Sequence, residues 1–353
     1  MSYIYYKFEN NRSVDDAKKI FLQRIEDAKF IYNKYQDSFE KRNCPYCGGI
    51  SFEFFDKFHD TYEIVRCKSC NNPFVNPAPN VVALVDYYEN CFCNRQLTKV
   101  ISNRFDKNDF INDDRIKVLI KVIKGLIDHK DAKTINILEV GSNNGAFLSR
   151  LKFAVKETFP DTTFNLTGVD VDSTSINNSL DSDLNLIHGS AEDIASEHSE
   201  LYDIIMHFEL LEHLNDPRSF ASAVYSMLNI GGKMIFTTPN VSGFDNQALG
   251  FNNMRFLAHG LFPPMHLNAF SVTNIPHFLL SLGFDIESVK TPGRFDVDIV
   301  KLCQEYLEED IFHEFSELKV KDRALMQQIF VRLGVSSHMQ VIASKNYSKP
   351  ITL

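Results

Sequence analysis

At 353 residues the chain is longer than one hydrophobic core usually serves, so two or three units are expected. Its 44% hydrophobic and 24% charged residues, with only 15 Gly and 12 Pro, exclude fibrous and largely disordered classes. The 37 Lys and Arg against 46 Asp and Glu leave a net charge of −9, the wrong sign for a broad nucleic-acid footprint. No run of about 18 apolar residues offers a membrane span. The segment MSYIYYKFENNRSVDD lacks the basic stretch and apolar run of a secretory signal. A cytoplasmic protein with a small-molecule partner is expected, and the oligomeric state is not legible.

Residues 1–42 form the first unit. Ser13-Val-Asp-Asp16 has the form of a capping box, and Ala17, Ile20, Phe21, Ala28, Ile31 and Tyr35 recur at helical spacing, predicting one helix over 13–40. The second unit, 43–80, carries Cys44-Pro-Tyr-Cys47 and Cys67-Lys-Ser-Cys70, two C-x2-C knuckles whose four thiolates can close a tetrahedral Zn2+ site. Gly48 and Asn71 follow the second cysteine of each knuckle, where the chain must turn with positive φ. The intervening SFEFFDKFHDTYEIVR reads as two short strands, which makes a zinc ribbon; with four cysteines on it, the metal is structural. Cys91, Cys93 and Cys303 lack a partner pattern and read as half-buried thiols. After Asn76-Pro-Ala-Pro79, VVALVDYY starts a helical connector over 81–133, whose second helix (111–128) has Ile116, Leu119, Ile120, Ile123 and Ile127 on one stripe.

From 134 to 353 short apolar runs alternate with helical periodicity: INILEV, FNLTGVD, LNLIHG, YDIIMHF, GGKMIFTTP, FDIESVK and HMQVIAS. This predicts an α/β domain with a mainly parallel sheet, ligands at the C-terminal strand ends, and a mostly helical insertion at 292–337. The first run leads into Gly141-Ser-Asn-Asn-Gly145, a strand-to-helix turn that lets backbone approach a ligand; Asn143 and Ala146 stand where a dinucleotide fingerprint needs glycine, which disfavours NAD. The second run ends at Asp170, placed to accept from two ribose hydroxyls.

LEVGSNNGAFL, TGVDVD, HGSAEDI, YDIIMHFELLEHLNDP and LNIGGKMIFTTPN, in this order, resemble the motifs of class I S-adenosylmethionine-dependent methyltransferases over 134–291 and the last strand. The resemblance implies a Rossmann-like seven-stranded sheet with its last strand antiparallel and S-adenosylmethionine as cofactor. It implies that Glu139, Gly141, Ser142 and Gly145 surround the methionine moiety, that Asp170 holds the ribose, and that Ser190, Ala191 and Glu192 flank the adenine. Asn143, Val171, His207 and Phe208 complete the implied contacts. Ser190 departs from the Asp that many relatives carry there.

Beyond the fourth strand stand Glu209-Leu-Leu-Glu212-His213 and, later, His266. Positions i, i+3 and i+4 share one helical face, and two carboxylates with two imidazoles suit a second, divalent ion such as Mg2+, Mn2+ or Fe2+. The pattern resembles the metal motif of small-RNA 2′-O-methyltransferases and ubiquinone-pathway O-methyltransferases, in which the metal chelates acceptor hydroxyls. His213 and His266 are also the candidates to remove the hydroxyl proton. The bland alternative is that Glu212-His213 shape a helix start and His266 lines a loop. The two knuckles, Asn76-Pro-Ala-Pro79, Tyr87-Tyr88 and Thr291-Pro-Gly-Arg-Phe-Asp-Val-Asp298 resemble a bacterial methyltransferase group similar to enzymes acting on sugars, surface polysaccharides or secondary metabolites. Sugar C-methyltransferases carry a further Rossmann-like domain, for which about 60 residues after Pro292 are too few. O-methylation of a sugar-type hydroxyl is the expectation. An RNA 2′-O-methyltransferase, disfavoured by the charge, and a non-catalytic scaffold are the alternatives.

Overall fold

A computed structural model describes residues 14–92, 110–130, 132–179, 181–197, 201–249, 260–303 and 317–346. Cys93 and part of the 292–337 segment lie outside them. Helix α1 spans Val14–Tyr35 and buries Ala28 and Ile31. It stops short of residue 40 because a 3-10 turn, Gln36–Ser38, follows, and the Ser38 hydroxyl donates to the carbonyl of Tyr35 at 2.8 Å. Three antiparallel strands come next, β1 (Phe52–Lys57), β2 (Glu63–Cys67) and β3 (Pro73–Val75), one strand more than the sequence predicts. Helix α2 (Val81–Asn90) starts on an Asn80 side chain that accepts from the Ala83 amide, and α3 spans Phe110–Lys130.

The seven apolar runs form one sheet. In chain order its elements are β4 (Thr134–Val140), α4 (Ala146–Thr158), β5 (Thr163–Asp170), α5 (Ser173–Asn177), β6 (Asn185–His188), α6 (Ala191–Glu197), β7 (Tyr202–Phe208), α7 (Pro217–Met227), β8 (Leu228–Pro239), α8 (Phe244–Leu249), α9 (Ile275–Ser281), β9 (Asp285–Lys290), α10 (Asp296–Cys303), α11 (Val320–Leu333) and β10 (His338–Lys345). The strand order is β6-β5-β4-β7-β8-β10-β9, and β10 alone runs antiparallel to both neighbours. The expected α/β, Rossmann-like sheet is therefore present.

Burial on both faces explains the unbroken apolar runs. Leu138, Ile205, Met234 and Phe236 pack with α6, α7 and α9 on one face. Their chain neighbours Ile137, Ile204, Met206 and Ile235 pack with α3 and α4 on the other, as the two-residue period of a strand requires. The small sheet is no appendage, since Cys44, Tyr46, Cys67 and Phe74 share the first of these clusters with the main sheet. Strand order reverses direction about β4, so the crevice above the C-terminal ends of β4 and β7 is where a ligand fits. Because β10 is antiparallel, its first residue, His338, lies at that same edge, paired with Pro239 at the end of β8.

Candidate functional site

On the cofactor side the chain leaves β4 through a turn that demands left-handed backbone. Gly141 (φ +74°), Asn143 (φ +52°) and Gly145 (φ +78°) supply it, and Gly145 caps α4. Asn143 thus does what a glycine does in a dinucleotide fingerprint, since asparagine tolerates this region. The Gly141 and Ser142 amides donate to the carbonyl of Val169 at 2.9 and 3.1 Å, locking the turn to β5. A Cβ on Gly168 would come within 2.6 Å of the Ser142 hydroxyl oxygen, so only glycine admits this approach.

The Asp170 carboxylate is held from both sides. Its Oδ2 accepts from the Asn143 amide at 2.7 Å and its Oδ1 from the Asp172 amide at 2.9 Å. Glu139 is buried below the turn, its Oε2 without a hydrogen-bond partner, and burial, aided by Asp170 and opposed by Arg115, pushes its pKa up to about 8. The Ser142 hydroxyl is likewise buried and unpartnered. Val171 stands 71% exposed beside Asp170. Ser190 is committed to capping α6: its hydroxyl donates to Asp193 at 2.7 Å and accepts from the Asp193 amide. Ala191 is buried, and burial raises the pKa of Glu192.

His207 and Phe208 diverge, as consecutive strand residues must. The Phe208 ring packs edge-on to Phe147 and carries the Arg115 guanidinium 4.2 Å from its centroid. The His207 imidazole is instead fully enclosed, stacked on Phe236 at 4.7 Å and edge-on to Phe220, with no partner for either nitrogen. Burial lowers its pKa to about 3, so it is a neutral core residue whose ring does not face the crevice. The ring is thereby removed from the expected cofactor contacts.

On the opposite side of the crevice, the helical-face argument for Glu209, Glu212 and His213 does not hold. Residues 211–213 are a turn, Glu209 takes φ +52°, and α7 begins only at Pro217, where the Asp216 side chain accepts from the amides of residues 218 and 219. Glu212, His213 and His266 do meet, with ligand atoms all within 4.8 Å of one another. Glu209 does not join them. Its carboxylate accepts from the Thr237 hydroxyl at 2.5 Å and lies 2.9 Å from His338 Nε2 and 3.6 Å from Arg115. Burial works against its charge, but His338, the Arg115 guanidinium and the Thr237 hydroxyl outweigh it and hold the carboxyl well below its usual range. Glu212 accepts instead from the Thr238 hydroxyl at 2.8 Å. Adjacent threonines on β8 point to opposite faces, so the two glutamates they bind are drawn apart.

Glu212 is 1% exposed, its Oε1 has no hydrogen bond, and burial with the Glu209 charge raises its pKa strongly. His213 is drawn down to about 4 by burial. Its Nδ1 lies 2.9 Å from the Met265 carbonyl and 3.2 Å from the Tyr88 hydroxyl, while His266 Nδ1 lies 3.2 Å from the Gly260 carbonyl. With both Nδ1–H groups on carbonyls, the lone pair of each ring lies on Nε2, and that of His213 stands 3.8 Å from Glu212 Oε1. The rings meet edge-to-face at 4.7 Å. The loop bearing His266 is fastened to the turn below it, because the amides of Leu267 and Asn268 both donate to the carbonyl of Glu212.

The knuckles bring the Cys44, Cys47, Cys67 and Cys70 sulfurs within 4.8 Å of one another. Gly48 and Asn71 take the expected positive φ, +74° and +59°. Arg115, Tyr88, Thr237, Thr238 and His338 escaped the sequence reading as site residues. Tyr88 stood in the Tyr87-Tyr88 pair and Thr237-Thr238 in LNIGGKMIFTTPN, although nothing tied the tyrosine to His213 or the threonines to the glutamates.

Residues 111–289, half of the chain, match the profile of the family described as "Methyltransferase domain". The ubiquinone biosynthesis O-methyltransferase of Pseudomonas savastanoi pv. phaseolicola is 45% identical over 51 residues, 14% of this chain and 22% of that protein. Its counterpart in Cronobacter sakazakii is 29% identical over 110 residues, 30% of this chain and 42% of that one. The chain thus spans less than half the length of these curated relatives. The crystal structure of an S-adenosylmethionine-dependent methyltransferase from Mesorhizobium loti is similar with a TM-score of 0.39 and 14% identity, over 60% of this chain and 90% of that one. With the family match covering the strands that frame the crevice, the chain belongs to the methyltransferase-domain family, and its seven-stranded sheet has the class I Rossmann-like form.

Proposed function

We propose that the enzyme methylates a hydroxyl oxygen of a polar small molecule of the sugar or glycan-precursor type, with a divalent ion at Glu212, His213 and His266 and a structural Zn2+ in the four-cysteine site. The observation that carries the acceptor side is the three-residue cluster, whose ligand atoms lie within 4.8 Å of one another at the same edge of the sheet as the Gly141–Asp170 turn. A buried carboxylate oxygen without a hydrogen-bond partner, beside two imidazoles fixed by backbone carbonyls, is the donor set a small cation satisfies. The ubiquinone biosynthesis O-methyltransferases that the chain resembles agree with oxygen as the acceptor atom. The sugar type rests on the resemblance of the cysteine knuckles and the 76–79 and 291–298 segments to enzymes of that kind.

Two features fit S-adenosylmethionine. Glu139 Oε2 and the Ser142 hydroxyl are orphaned next to the left-handed turn, where an ammonium and a carboxylate supply the missing partners. Asp170 is held rigid by two amides, ready to accept from a ribose. S-adenosylmethionine held at the Gly141–Gly145 turn and Asp170 would supply an electrophilic methyl on a sulfonium, and a divalent ion held by Glu212, His213 and His266 would acidify an acceptor hydroxyl. The chain's own residues orient the acceptor; with the ion held there the acidified hydroxyl would lose its proton to solvent, and only without the ion would a histidine Nε2 take that proton directly.

Protein stripped with a chelator strong enough for the acceptor cluster but not for the thiolate site should lose labelled-methyl transfer and recover it with Mg2+, Mn2+ or Fe2+. Turnover unchanged by stripping would remove the second ion and leave the methyltransferase assignment standing. A labelled-methyl screen over nucleotide sugars and catechols identifies the acceptor, and transfer to catechols alone would overturn the sugar type. For the cofactor, Asp170→Ala should weaken S-adenosylhomocysteine binding by about 1.5–3 kcal/mol, roughly 10- to 150-fold, through the lost charged hydrogen bonds. Calorimetry reads this directly, and an unaltered affinity refutes the ribose role.

A further inference from the structure

Arg42 lies two residues before Cys44, and its side chain crosses from the small sheet to the acceptor side of the crevice. Among the described residues, the hydrogen-bond partners of its guanidinium are all backbone carbonyls. Nε donates to Val75 at 3.1 Å, Nη1 to Asn215 at 2.9 Å and Leu214 at 3.4 Å, and Nη2 to Leu267 at 3.0 Å. Its own amide donates to Asn76 Oδ1 at 3.0 Å, and the guanidinium stacks 5.4 Å from the Phe74 ring centroid. Leu214 is the residue after His213, and Leu267 is the residue after His266. One planar fork therefore fixes three separate stretches of chain at once: β3 of the small sheet, the turn carrying Glu212-His213, and the loop carrying His266. Only arginine has donors in a rigid plane for this; a lysine ammonium offers one point. Burial lowers the Arg42 pKa to about 10, which keeps it charged at neutral pH and its hydrogen bonds charge-assisted.

We propose that Arg42 is a positioning residue of the acceptor site: from beside the cysteine-bearing sheet it holds the backbone next to His213 and next to His266 in register, so that the two rings meet edge-to-face. This rests on the reading that these histidines form the acceptor side. Further contacts run the same way. The Val75 amide donates to the Leu267 carbonyl at 3.0 Å, the Asn215 side chain to the Pro79 carbonyl at 2.9 Å, and the Arg218 guanidinium to the Tyr46 carbonyl at 3.1 Å. Arg42 differs from these in touching the chain beside both histidines. The four-cysteine knuckle sets where Arg42 begins, so the small sheet is a built part of the acceptor site.

The test uses the full, zinc-loaded chain with 13C-labelled histidine. In the wild type the rings of His213 and His266, with centroids 4.7 Å apart, should give a ring-to-ring nuclear Overhauser effect, assigned by H213Q and H266Q. Arg42→Ala should abolish it, Arg42→Lys should restore part of it, and both should keep wild-type zinc content and S-adenosylhomocysteine affinity within twofold. Mn2+ affinity at the cluster should fall roughly 10- to 100-fold in Arg42→Ala, as when a group that orients a ligating histidine is lost. A wild-type ring contact and Mn2+ affinity in Arg42→Ala overturns the proposal. So does a loss of zinc and cofactor binding together in both variants, which marks a general structural role. If the wild type shows the ring contact but binds no Mn2+, the metal reading fails, and the ring contact in the variants still decides on Arg42.

Discussion

Glu139→Gln is expected to weaken S-adenosylhomocysteine binding on the order of 100-fold or more at pH 8.5, and to abolish the pH dependence of that binding. The carboxyl sits at the end of β4, 4% exposed, with one oxygen lacking any partner and a pKa raised to about 8, chiefly by burial. At pH 7 the free protein therefore holds it mostly protonated. An α-ammonium bound against it favours the charged form, so binding must expel a proton. The sign follows from linkage: affinity rises about tenfold per pH unit below pH 8 and levels above it, where the carboxylate is already formed. Calorimetry at pH 7 in two buffers of different ionisation enthalpy should report close to one proton released in the wild type and none in Glu139→Gln. The loss of affinity follows from leaving an ammonium without its buried counter-charge, typically about 3–5 kcal/mol. Equal proton release in wild type and variant would assign the linkage to another group and remove Glu139 from the methionine end of the site.

The sheet was legible because its strands are buried on both faces. INILEV and YDIIMHF read as unbroken apolar runs and became β4 and β7, with alternate residues supplying two separate cores. The cysteine knuckles were legible because ligand spacing is a local property. Glu209 was misread because a spacing of i, i+3, i+4 has meaning only inside a helix. The contrary signal was present in Asp216-Pro217, a cap followed by a proline at the first helical position, which puts the start of α7 after His213. Asn143 shows a second failing of local pattern, for it takes the left-handed backbone that a glycine fingerprint encodes while hiding it from a search for glycine. Arg42, Tyr88, Arg115 and His338 reach the crevice from four different stretches of chain. No spacing links them, and only the strand order, with β10 antiparallel, brings His338 to the edge where β7 and β8 end.

Removal of the Zn2+ proposed for the four-cysteine site is expected to lower the melting temperature of the whole described fold, in one transition. The Cys44–Cys70 and Cys47–Cys67 sulfur pairs lie 3.5 and 3.7 Å apart, close to the separation of about 3.7–3.8 Å that four sulfurs at 2.3 Å from a tetrahedral Zn2+ require. Without the ion, four thiols crowd one another with no bond to hold the knuckles. Cys44 and Cys67 are 1% and 0% exposed, and they pack in the same cluster as Leu138, Phe236 and Phe270. Tyr46, between the first two cysteines, donates to the Pro73 carbonyl and meets Phe270 edge-on at 5.2 Å. Opening the knuckles therefore exposes part of the main core. If about 4 kcal/mol of the metal's stabilisation reaches that shared unit, the shift is roughly 10 °C, at 2–4 °C per kcal/mol for a unit of this size. Scanning calorimetry with and without a zinc-selective chelator, and on Cys67→Ser, should show a single peak moving down. Two peaks, with the upper one unmoved, would mean that the cysteine sheet melts independently, and the coupling inferred through Tyr46 and Phe74 would be lost.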